Sequence, residues 1–271
     1  MDYRESKYSN LRNGNYEWPS EFMDSKELFE ENCKEYPNSK TLKYYKENPI
    51  EYSFNNYGFR TPDDFNDTDE GNVFIGCSHT MGVGHPLENT WSYKLNKHIG
   101  GKFWNLSQGG CGSQTDYRLL FAWKDTLKIK NIFHYTVPWP RFEFFNEDGF
   151  IHLNHHKKKY RENWKHKPHR WEFYVDILSD EVYCNYNQMV YINAIKGISE
   201  EIGCNYYYLT PEILGWPTPL IGNSVAEYKP ILRGKLDEND TSFCARDLKH
   251  YSVDRLNVIY ENMMEYINEK T

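Results

Sequence analysis

The stretch Asn72-Val73-Phe74-Ile75-Gly76-Cys77-Ser78-His79-Thr80 decides how this chain is expected to fold. An apolar run of strand length ends here at a turn of small residues, and the turn carries the hydroxyl of Ser78. Open α/β sheets bind their ligands at the carboxyl ends of their strands. We therefore expect a buried strand of a parallel sheet, with Ser78 presented at its carboxyl end.

Strand and helix patterns alternate on both sides of this stretch. Alternation of this kind predicts an α/β fold in which a central parallel sheet is covered on both faces, a three-layer α/β/α arrangement. The predicted strands are residues 72–75, 102–106, 131–137 and 205–209, and the predicted helices are about 87–98, 114–127, 186–202 and 253–267. Gly203 is a suitable residue to end the third of these helices.

The 271 residues are sufficient for one α/β domain with insertions. Residues 1–70 are polar and contain one predicted helix at about 20–36, so we expect an N-terminal extension packed on a main domain of residues 71–271. Residues from about 138 to 180 interrupt the alternation with Pro, His, Lys and aromatic side chains. This segment is predicted to be an insertion.

Composition excludes several classes of protein. A net charge of -7 argues against nucleic-acid binding as the main role, because phosphate contacts need a concentrated basic surface. No window approaches the roughly 18 apolar residues of a membrane span. The first residues lack the apolar stretch of a signal peptide. We expect a cytoplasmic protein, with release by lysis or association with a particle left open.

Cofactor and metal motifs are also missing from the sequence. Gly82-Val83-Gly84 does not extend to a dinucleotide fingerprint, and no phosphate-binding loop is present, so no cofactor is predicted. The six cysteines form no CxxC pair and are expected to be reduced thiols. His152, His155 and His156 have a spacing that metals accept, but without nearby carboxylates or cysteines a solvated basic insertion is favoured. The sequence does not indicate an oligomeric state.

A serine hydroxyl needs a base, and the base needs a partner that fixes its tautomer. Asp247-Leu248-Lys249-His250 offers both in one short loop. The glycine-containing turn from Asn105 to Ser113 offers backbone N–H groups for an oxyanion. Each feature alone has a structural explanation, as a helix cap or a tight turn. Their occurrence together, in this order, favours a serine hydrolase.

These three segments resemble the first, second and fifth sequence blocks of the SGNH (GDSL-like) hydrolases, over roughly residues 70–268. The resemblance implies a flavodoxin-like sheet and a triad in which Ser78 is the nucleophile, His250 the base and Asp247 its partner. It also implies that the backbone N–H groups of Ser78 and Gly110 form the oxyanion hole. Asn55-Asn56-Tyr57-Gly58-Phe59-Arg60 looks like the lead-in to the first block.

The chain departs from this family pattern in two places. The usual Gly-Asp-Ser is Gly76-Cys77-Ser78 here, which keeps the nucleophile and changes its neighbour. The Gly-x-Asn-Asp of the third block, whose Asn is the family's third oxyanion donor, is absent. Thr136, Trp139 and Arg141 are candidates to replace that donor and to bind substrate.

The sequence leaves several functions open. The first is an esterase acting on a small-molecule or glycan ester, with O-acetyl groups on a carbohydrate favoured by the aromatic and basic insertion. The second is a catalytically degenerate SGNH-like domain that binds a glycan or a partner. An acyltransferase on the same scaffold and a thiol hydrolase using Cys77 or Cys111 are further alternatives.

Overall fold

A computed structural model describes residues 2–19, 24–66, 68–135, 141–146, 149–154, 172–173, 178, 180–209 and 245–270. The strands are β1 (Asn15–Tyr16), β2 (Tyr52–Ser53), β3 (Glu70–Gly76), β4 (Lys102–Asn105), β5 (Lys128–Tyr135), β6 (Arg141–Asn146), β7 (Gly149–Asn154) and β8 (Asn205–Leu209). The α-helices are α1 (Lys26–Glu35), α2 (Lys40–Glu47), α3 (Ser78–Met81), α4 (Trp91–Ile99), α5 (Ser113–Trp123), α6 (Glu181–Ile202) and α7 (Val253–Lys270). Short 3₁₀ turns lie at Ser9–Leu11 and Leu87–Asn89.

Four parallel strands form the central sheet in the order β4-β3-β5-β8. Side chains of α4 and α7 form a core with one face of this sheet, and side chains of α5 and α6 form a second core with the other face. The three-layer α/β/α prediction is therefore confirmed. Because β3 lies between β4 and β5, the turn that carries Ser78 leaves the middle of the sheet.

Aromatic rings fill much of the first core. Phe133 on β5 stacks between Phe74 on β3 and Tyr207 on β8, with centroid distances of 5.1 Å on each side. Trp91 on α4 meets Phe74 edge to face at 5.8 Å. Aromatic pairs of this kind add about 0.5–1.5 kcal/mol each to the burial of apolar area. The high aromatic content therefore supplies packing across the strands that carry the site.

A row of hydrogen-bonded asparagine amides crosses the sheet near the amino-terminal ends of its strands. The Nδ2 of Asn205 donates to Asn131 at 2.9 Å, Asn131 donates to Asn72 at 2.7 Å, and Asn72 donates to Asn96 at 2.8 Å. Asn72, Asn131 and Asn205 are register partners on adjacent strands. Asn96 on α4 then donates to the carbonyl of Gly101. The amides thus connect three strands and one helix in a single hydrogen-bonded row.

Capping residues explain where the helices differ from the sequence-based bounds. The helix expected at about 20–36 begins at Lys26, because the Ser25 hydroxyl accepts the N–H of Leu28. The helix expected to begin at Tyr186 begins at Glu181, because Asp180 caps it through the N–H of Tyr183. Gly203 ends that helix in the left-handed conformation at φ 72°, as predicted.

The N-terminal residues contain more structure than the sequence indicated. The helix α2, capped by Ser39, was not predicted, and β1 pairs with β2 in an antiparallel ladder. Buried side chains from this region form a third core together with Met81 and Val83, which follow Ser78. Further contacts reach α5, where Arg118 Nη1 donates to the carbonyl of Tyr3 at 2.6 Å.

The segment predicted as an insertion contains an antiparallel hairpin of β6 and β7 in its described part. Glu143 of this hairpin is buried and accepts two hydrogen bonds from Arg118 on α5, at 2.7 and 2.9 Å. The backbone N–H of Glu143 donates to Gln114 at 2.8 Å. These contacts fix the hairpin against the helix that follows the Gly110 turn.

Two other expectations concern cysteines and membranes. Cys33, Cys77, Cys111, Cys184 and Cys204 are free thiols, and Cys244 lies outside the described residues. In the described parts of the chain, every helix is too short or too polar to cross a lipid bilayer.

A buried ion pair joins the beginning of the chain to its end. Arg246 is fully buried, and its Nε and Nη2 lie 3.0 and 2.8 Å from the Asp24 carboxylate. The Tyr52 hydroxyl donates to the same carboxylate at 2.5 Å and accepts the N–H of Gly84 at 2.7 Å. The Arg246 guanidinium also lies 3.7 Å from the ring centroid of Trp18. One cluster therefore connects the N-terminal region with two other parts of the chain. These are the residues that follow Ser78 (78–85, the Ser78 segment) and the residues around Asp247 (245–251, the Asp247 segment).

Replacing Asp24 by Asn tests this cluster. The substitution keeps the shape of the side chain and leaves the charge of Arg246 without its buried partner, so we expect a loss of about 3–5 kcal/mol in the free energy of unfolding. The control is Glu5→Gln, because Glu5 pairs with Arg12 at 3.9 Å in a half-exposed pair and should change stability by less than about 1 kcal/mol. Urea unfolding followed by circular dichroism measures both, and equal effects would contradict the prediction.

Candidate active site

Ser78 lies where the sequence placed it, at the carboxyl end of the central strand β3. It is the first residue of α3 and is buried, with 2% of its surface exposed. Gly76, two residues earlier, has φ 142°, and a Cβ there would lie 2.2 Å from the carbonyl oxygen of Tyr135. Only glycine fits this position. The first residue of the Gly76-Cys77-Ser78 turn is therefore fixed by backbone geometry.

A buried Asp–His pair that the sequence analysis did not identify supports the same turn. Asp116 Oδ1 accepts the N–H of Gly76 at 2.9 Å, and its Oδ2 lies 3.2 Å from His134 Nε2. His134 Nδ1 lies 2.9 Å from the Tyr206 hydroxyl. Both Asp116 and His134 are buried. Asp116 therefore positions the backbone that leads to Ser78.

Asp247 and His250 form the pair that the sequence predicted. His250 Nδ1 lies 2.6 Å from Asp247 Oδ2, and Asp247 Oδ1 accepts the N–H groups of Lys249 and His250 at 3.1 and 3.2 Å. Because a carboxylate accepts at Nδ1, that nitrogen carries the proton and Nε2 is left as the basic nitrogen. Leu248 between them has φ 55°, a strained conformation for a residue with a branched side chain.

The charge of Asp247 is stabilised by its surroundings. Burial alone would raise the pKa of this carboxyl, but the charge and hydrogen bond of His250 and the two backbone N–H donors together hold the pKa below its ordinary value. Asn32 on α1 donates to the carbonyl of Asp247 at 3.3 Å and fixes its backbone. The arrangement suits a carboxylate that orients an imidazole and stabilises its protonated form.

The Ser78 segment and the Asp247 segment pack directly on one another. The N–H of Arg246 donates to the carbonyl of Gly84 at 2.9 Å. The ring of His79 stacks on the ring of Tyr251 at 3.8 Å between centroids and meets the His250 ring edge to face at 5.3 Å. The structure therefore brings the neighbours of Ser78 against His250. Within the described residues, no hydrogen bond joins the Ser78 hydroxyl to His250.

His85 is a second histidine at this junction that the sequence analysis missed. It is buried, and its Nε2 lies 2.6 Å from the carbonyl oxygen of Tyr251, so Nε2 carries the proton. Burial lowers the pKa of His85 to about 4. The imidazole is therefore neutral at pH 7 and holds the backbone next to His250. The segment from Gly82 to His85 is itself held by Arg60, which donates to the carbonyls of Gly82 and His85.

The Gly110 turn lies beside the Ser78 turn. The N–H of Gln108 donates to the carbonyl of Gly76 at 3.2 Å, which ties the two turns together. Gly110 has φ 75°, a left-handed conformation that favours glycine. The backbone N–H groups of Ser78 and Gly110 donate to no acceptor among the described residues. These are the two donors that the family resemblance assigns to the oxyanion hole.

Of the three candidates for the third oxyanion donor, the structure describes one. Thr136 and Trp139 lie outside the described residues. Arg141 is described, and its Nη1 donates to the carbonyl of Cys111 at 3.2 Å. Arg141 therefore contacts the residue after Gly110.

His152 contradicts the expectation of a solvated insertion. It is buried, and its Nδ1 lies 3.2 Å from the sulfur of Cys111 and 3.6 Å from Glu143. The hairpin brings it there because Glu143 and His152 are register partners. Burial raises the pKa of the Cys111 thiol, so the thiol is neutral at pH 7 and a poor nucleophile. His155 and His156 lie outside the described residues.

Among the residues that the structure describes, no three His, Cys, Asp or Glu side chains are arranged to hold a metal ion. Comparison of the sequence with protein-family models and with curated proteins finds no match. The chemical assignment of the site therefore depends on the geometry of Ser78, Asp247, His250 and Gly110.

The buried neutral state of His85 predicts how stability depends on pH. In the unfolded chain His85 takes up a proton near its ordinary pKa of 6.5, whereas in the folded chain it does so only near 4. The unfolded state therefore binds more protons between these values, and the free energy of unfolding falls as the pH falls from 6.5 towards 4. His85→Gln keeps an N–H donor and removes the titrating group.

We expect the wild type to lose about 2 kcal/mol more than His85→Gln between pH 7 and pH 5. Urea unfolding at pH 7, 6 and 5 measures the difference, and the other titrating groups are common to both proteins. Parallel stability curves for the two proteins would show that His85 is not buried in its neutral form.

Proposed function

We propose that this protein is a serine ester hydrolase of the SGNH type. The observation that carries the proposal is the contact between two segments far apart in sequence: the turn of Ser78 and the Asp247–His250 pair, joined through Arg246, Gly84 and the stacked rings of His79 and Tyr251. The proposal is supported by the contact of the Ser78 turn with the Asp247-bound imidazole and by the N–H groups of Ser78 and Gly110, which meet no acceptor among the described residues. These are the parts that acyl transfer by a serine requires.

The proposed reaction has two halves. Ser78 Oγ attacks the ester carbonyl carbon while His250 Nε2 accepts the hydroxyl proton, and the resulting oxyanion is bound by the N–H groups of Ser78 and Gly110. The carbon–oxygen bond to the alcohol then breaks, and His250 returns the proton to the departing alcohol. Water enters, His250 takes its proton, and hydrolysis of the acyl-serine releases the acid and restores the Ser78 hydroxyl.

His250 has the tautomer that this reaction needs. Asp247 holds Nδ1–H at 2.6 Å, so Nε2 is available to Ser78. In proteins without bound substrate the catalytic hydrogen bonds are often long and shorten only when substrate binds. In the described residues the Ser78 hydroxyl donates no hydrogen bond to His250, and the proposed mechanism requires that bond to form when substrate binds. We propose an O-acetylated carbohydrate as the substrate class, on the basis of the aromatic and basic composition of residues 138–180.

A second candidate is a degenerate SGNH-like domain that binds a glycan or a partner without turnover. It is favoured by the absence of the third-block Asn and by the lack of a hydrogen bond between Ser78 and His250 in the described residues. Both candidates share the fold, so they differ only in whether Ser78 reacts.

A fluorophosphonate probe, which phosphonylates an activated serine, distinguishes the two candidates. We expect the wild type to be labelled and to hydrolyse 4-nitrophenyl acetate, and Ser78→Ala and His250→Ala to lose both. Asp247→Asn should lower kcat by up to about 10⁴-fold, because Nδ1 of His250 loses its carboxylate partner. Acetate release from an O-acetylated oligosaccharide tests the substrate class.

The matched control is Ser92→Ala. Ser92 is also buried, and its hydroxyl donates to the carbonyl of Thr80 at 2.9 Å, so its loss should leave labelling unchanged. A folded wild type that is neither labelled nor active would reject the hydrolase and favour the binding protein. Labelling that survives in Ser78→Ala would place the reactive group elsewhere.

A further inference from the structure

The Gly109–Gly110 peptide unit joins the candidate oxyanion donor to a cation of the N-terminal region. The ammonium group of Lys7 donates a hydrogen bond to the carbonyl oxygen of Gly109. That carbonyl and the N–H of Gly110 belong to one planar trans peptide, in which the C=O and N–H bonds point in opposite directions. A cation that holds the oxygen therefore also sets the direction of the N–H.

Other contacts fix the same turn and leave this N–H available. The backbone N–H of Lys7 donates to Gln108 Oε1 at 3.2 Å, and the N–H of Gln108 is bonded to Gly76. On the other side, Arg141 donates to the carbonyl of Cys111. The carbonyls of the two residues that flank Gly110, Gly109 and Cys111, are thus each held by a basic side chain. The N–H between them meets no acceptor in the described parts of the chain.

The charge of Lys7 also changes the strength of the donor. Resonance in the peptide unit links the oxygen and the nitrogen, so a positive charge on the oxygen draws electrons from the nitrogen and makes its N–H a stronger donor. Hydrogen bonds that involve an ionised group are roughly twice as strong as neutral ones. The effect is greatest when the acceptor is an anion, as in the tetrahedral intermediate.

We infer that Lys7 is a positioning residue for the oxyanion hole: it orients and polarises the Gly109–Gly110 peptide. This inference rests on the proposed function. Lys7 acts through Gly110, so its contribution appears in the transition state, where negative charge develops, and hardly at all in the binding of the neutral ester. The N-terminal region would then take part in catalysis.

Three variants of the full chain test this role. Lys7→Met removes the cation and keeps the length of the side chain, Lys7→Arg keeps a cation, and Arg4→Met is the matched control. Arg4 lies in the same segment and donates to the carbonyl of Ala122 at 3.0 Å, with its guanidinium 5.2 Å from the Trp123 ring centroid. Its loss weakens the packing of the N-terminal segment without touching the Gly110 turn.

The measurements are kcat and KM for 4-nitrophenyl acetate and the inhibition constant of an aryl trifluoromethyl ketone, whose adduct with serine carries an oxyanion. Removal of a complete oxyanion donor lowers kcat by about 10²–10³-fold, so we expect Lys7→Met to lower it by about 10–100-fold. The inhibition constant should rise by a similar factor and KM should change little. Lys7→Arg should recover most of the activity, and Arg4→Met should resemble the wild type.

Several outcomes would overturn the inference. If Lys7→Met retains wild-type kcat while the wild type is labelled at Ser78, Lys7 has no role and the hydrolase stands. If Arg4→Met loses as much as Lys7→Met, the segment acts only through packing. If KM rises as kcat falls, Lys7 contributes to substrate binding instead. A folded wild type without labelling or turnover rejects the hydrolase, and this inference with it.

Discussion

The buried pair of Asp24 and Arg246 is the interaction on which the geometry of the site depends. Arg246 directly precedes Asp247, and its backbone N–H holds Gly84 in the segment that follows Ser78. Its guanidinium is held by a carboxylate from the other end of the chain. A buried guanidinium without a carboxylate partner would cost several kcal/mol of folding free energy, roughly 3–5, so Arg246 needs Asp24 in place. The Tyr52 hydroxyl, which contacts both Asp24 and Gly84, joins this ion pair to the Ser78 segment.

Hydrophobic pattern was sufficient to predict the sheet and its covering helices. The strands β3, β4, β5 and β8 and the helices α4 to α7 were all expected, because short apolar runs of strand length alternate along the chain with longer helical patterns. The starts of α1 and α6 differ from the predicted ones because the caps Ser25 and Asp180 decide where these helices begin. Helix α2 was missed, although Ser39 is a capping residue three positions before Leu42.

Part of the candidate site could be predicted, and part could not. Ser78, Asp247 and His250 lie in short segments whose residue types suggest chemistry, and Asp247 and His250 are only three positions apart. His85, Asp116, His134 and Lys7 belong to no such motif. Asp116 and His134 reach the site because elements distant in sequence become neighbours, and Lys7 does so because the first residues pack on the Gly110 turn. His85 follows Ser78 by seven positions, but only the fold buries it against the backbone of Tyr251. His152 was misjudged for the same reason, since its burial is produced by the hairpin and α5.

The residues before β3 therefore contribute to the site. Lys7 contacts the Gly110 turn, Asp24 holds Arg246, Asn32 holds the backbone of Asp247, and Arg60 holds the carbonyls of Gly82 and His85. Each contact is polar and reaches a backbone or a charged group of the central layer. The N-terminal region is thus held by its own apolar core and by polar contacts that supply partners to buried groups of the central layer.

The row of asparagine amides lies at the amino-terminal ends of the strands, away from the candidate site, and it constrains which substitutions these positions can accept in evolution. Asn131 and Asn72 each give one hydrogen bond to a neighbouring asparagine and receive one from another, so replacing either removes one hydrogen bond from each of two neighbouring amides. A single substitution is penalised at both neighbours, whereas a concerted change of the row is not. Positions 72, 96, 131 and 205 should therefore vary together among related chains, as one inherited unit that spans β8, β5, β3 and α4.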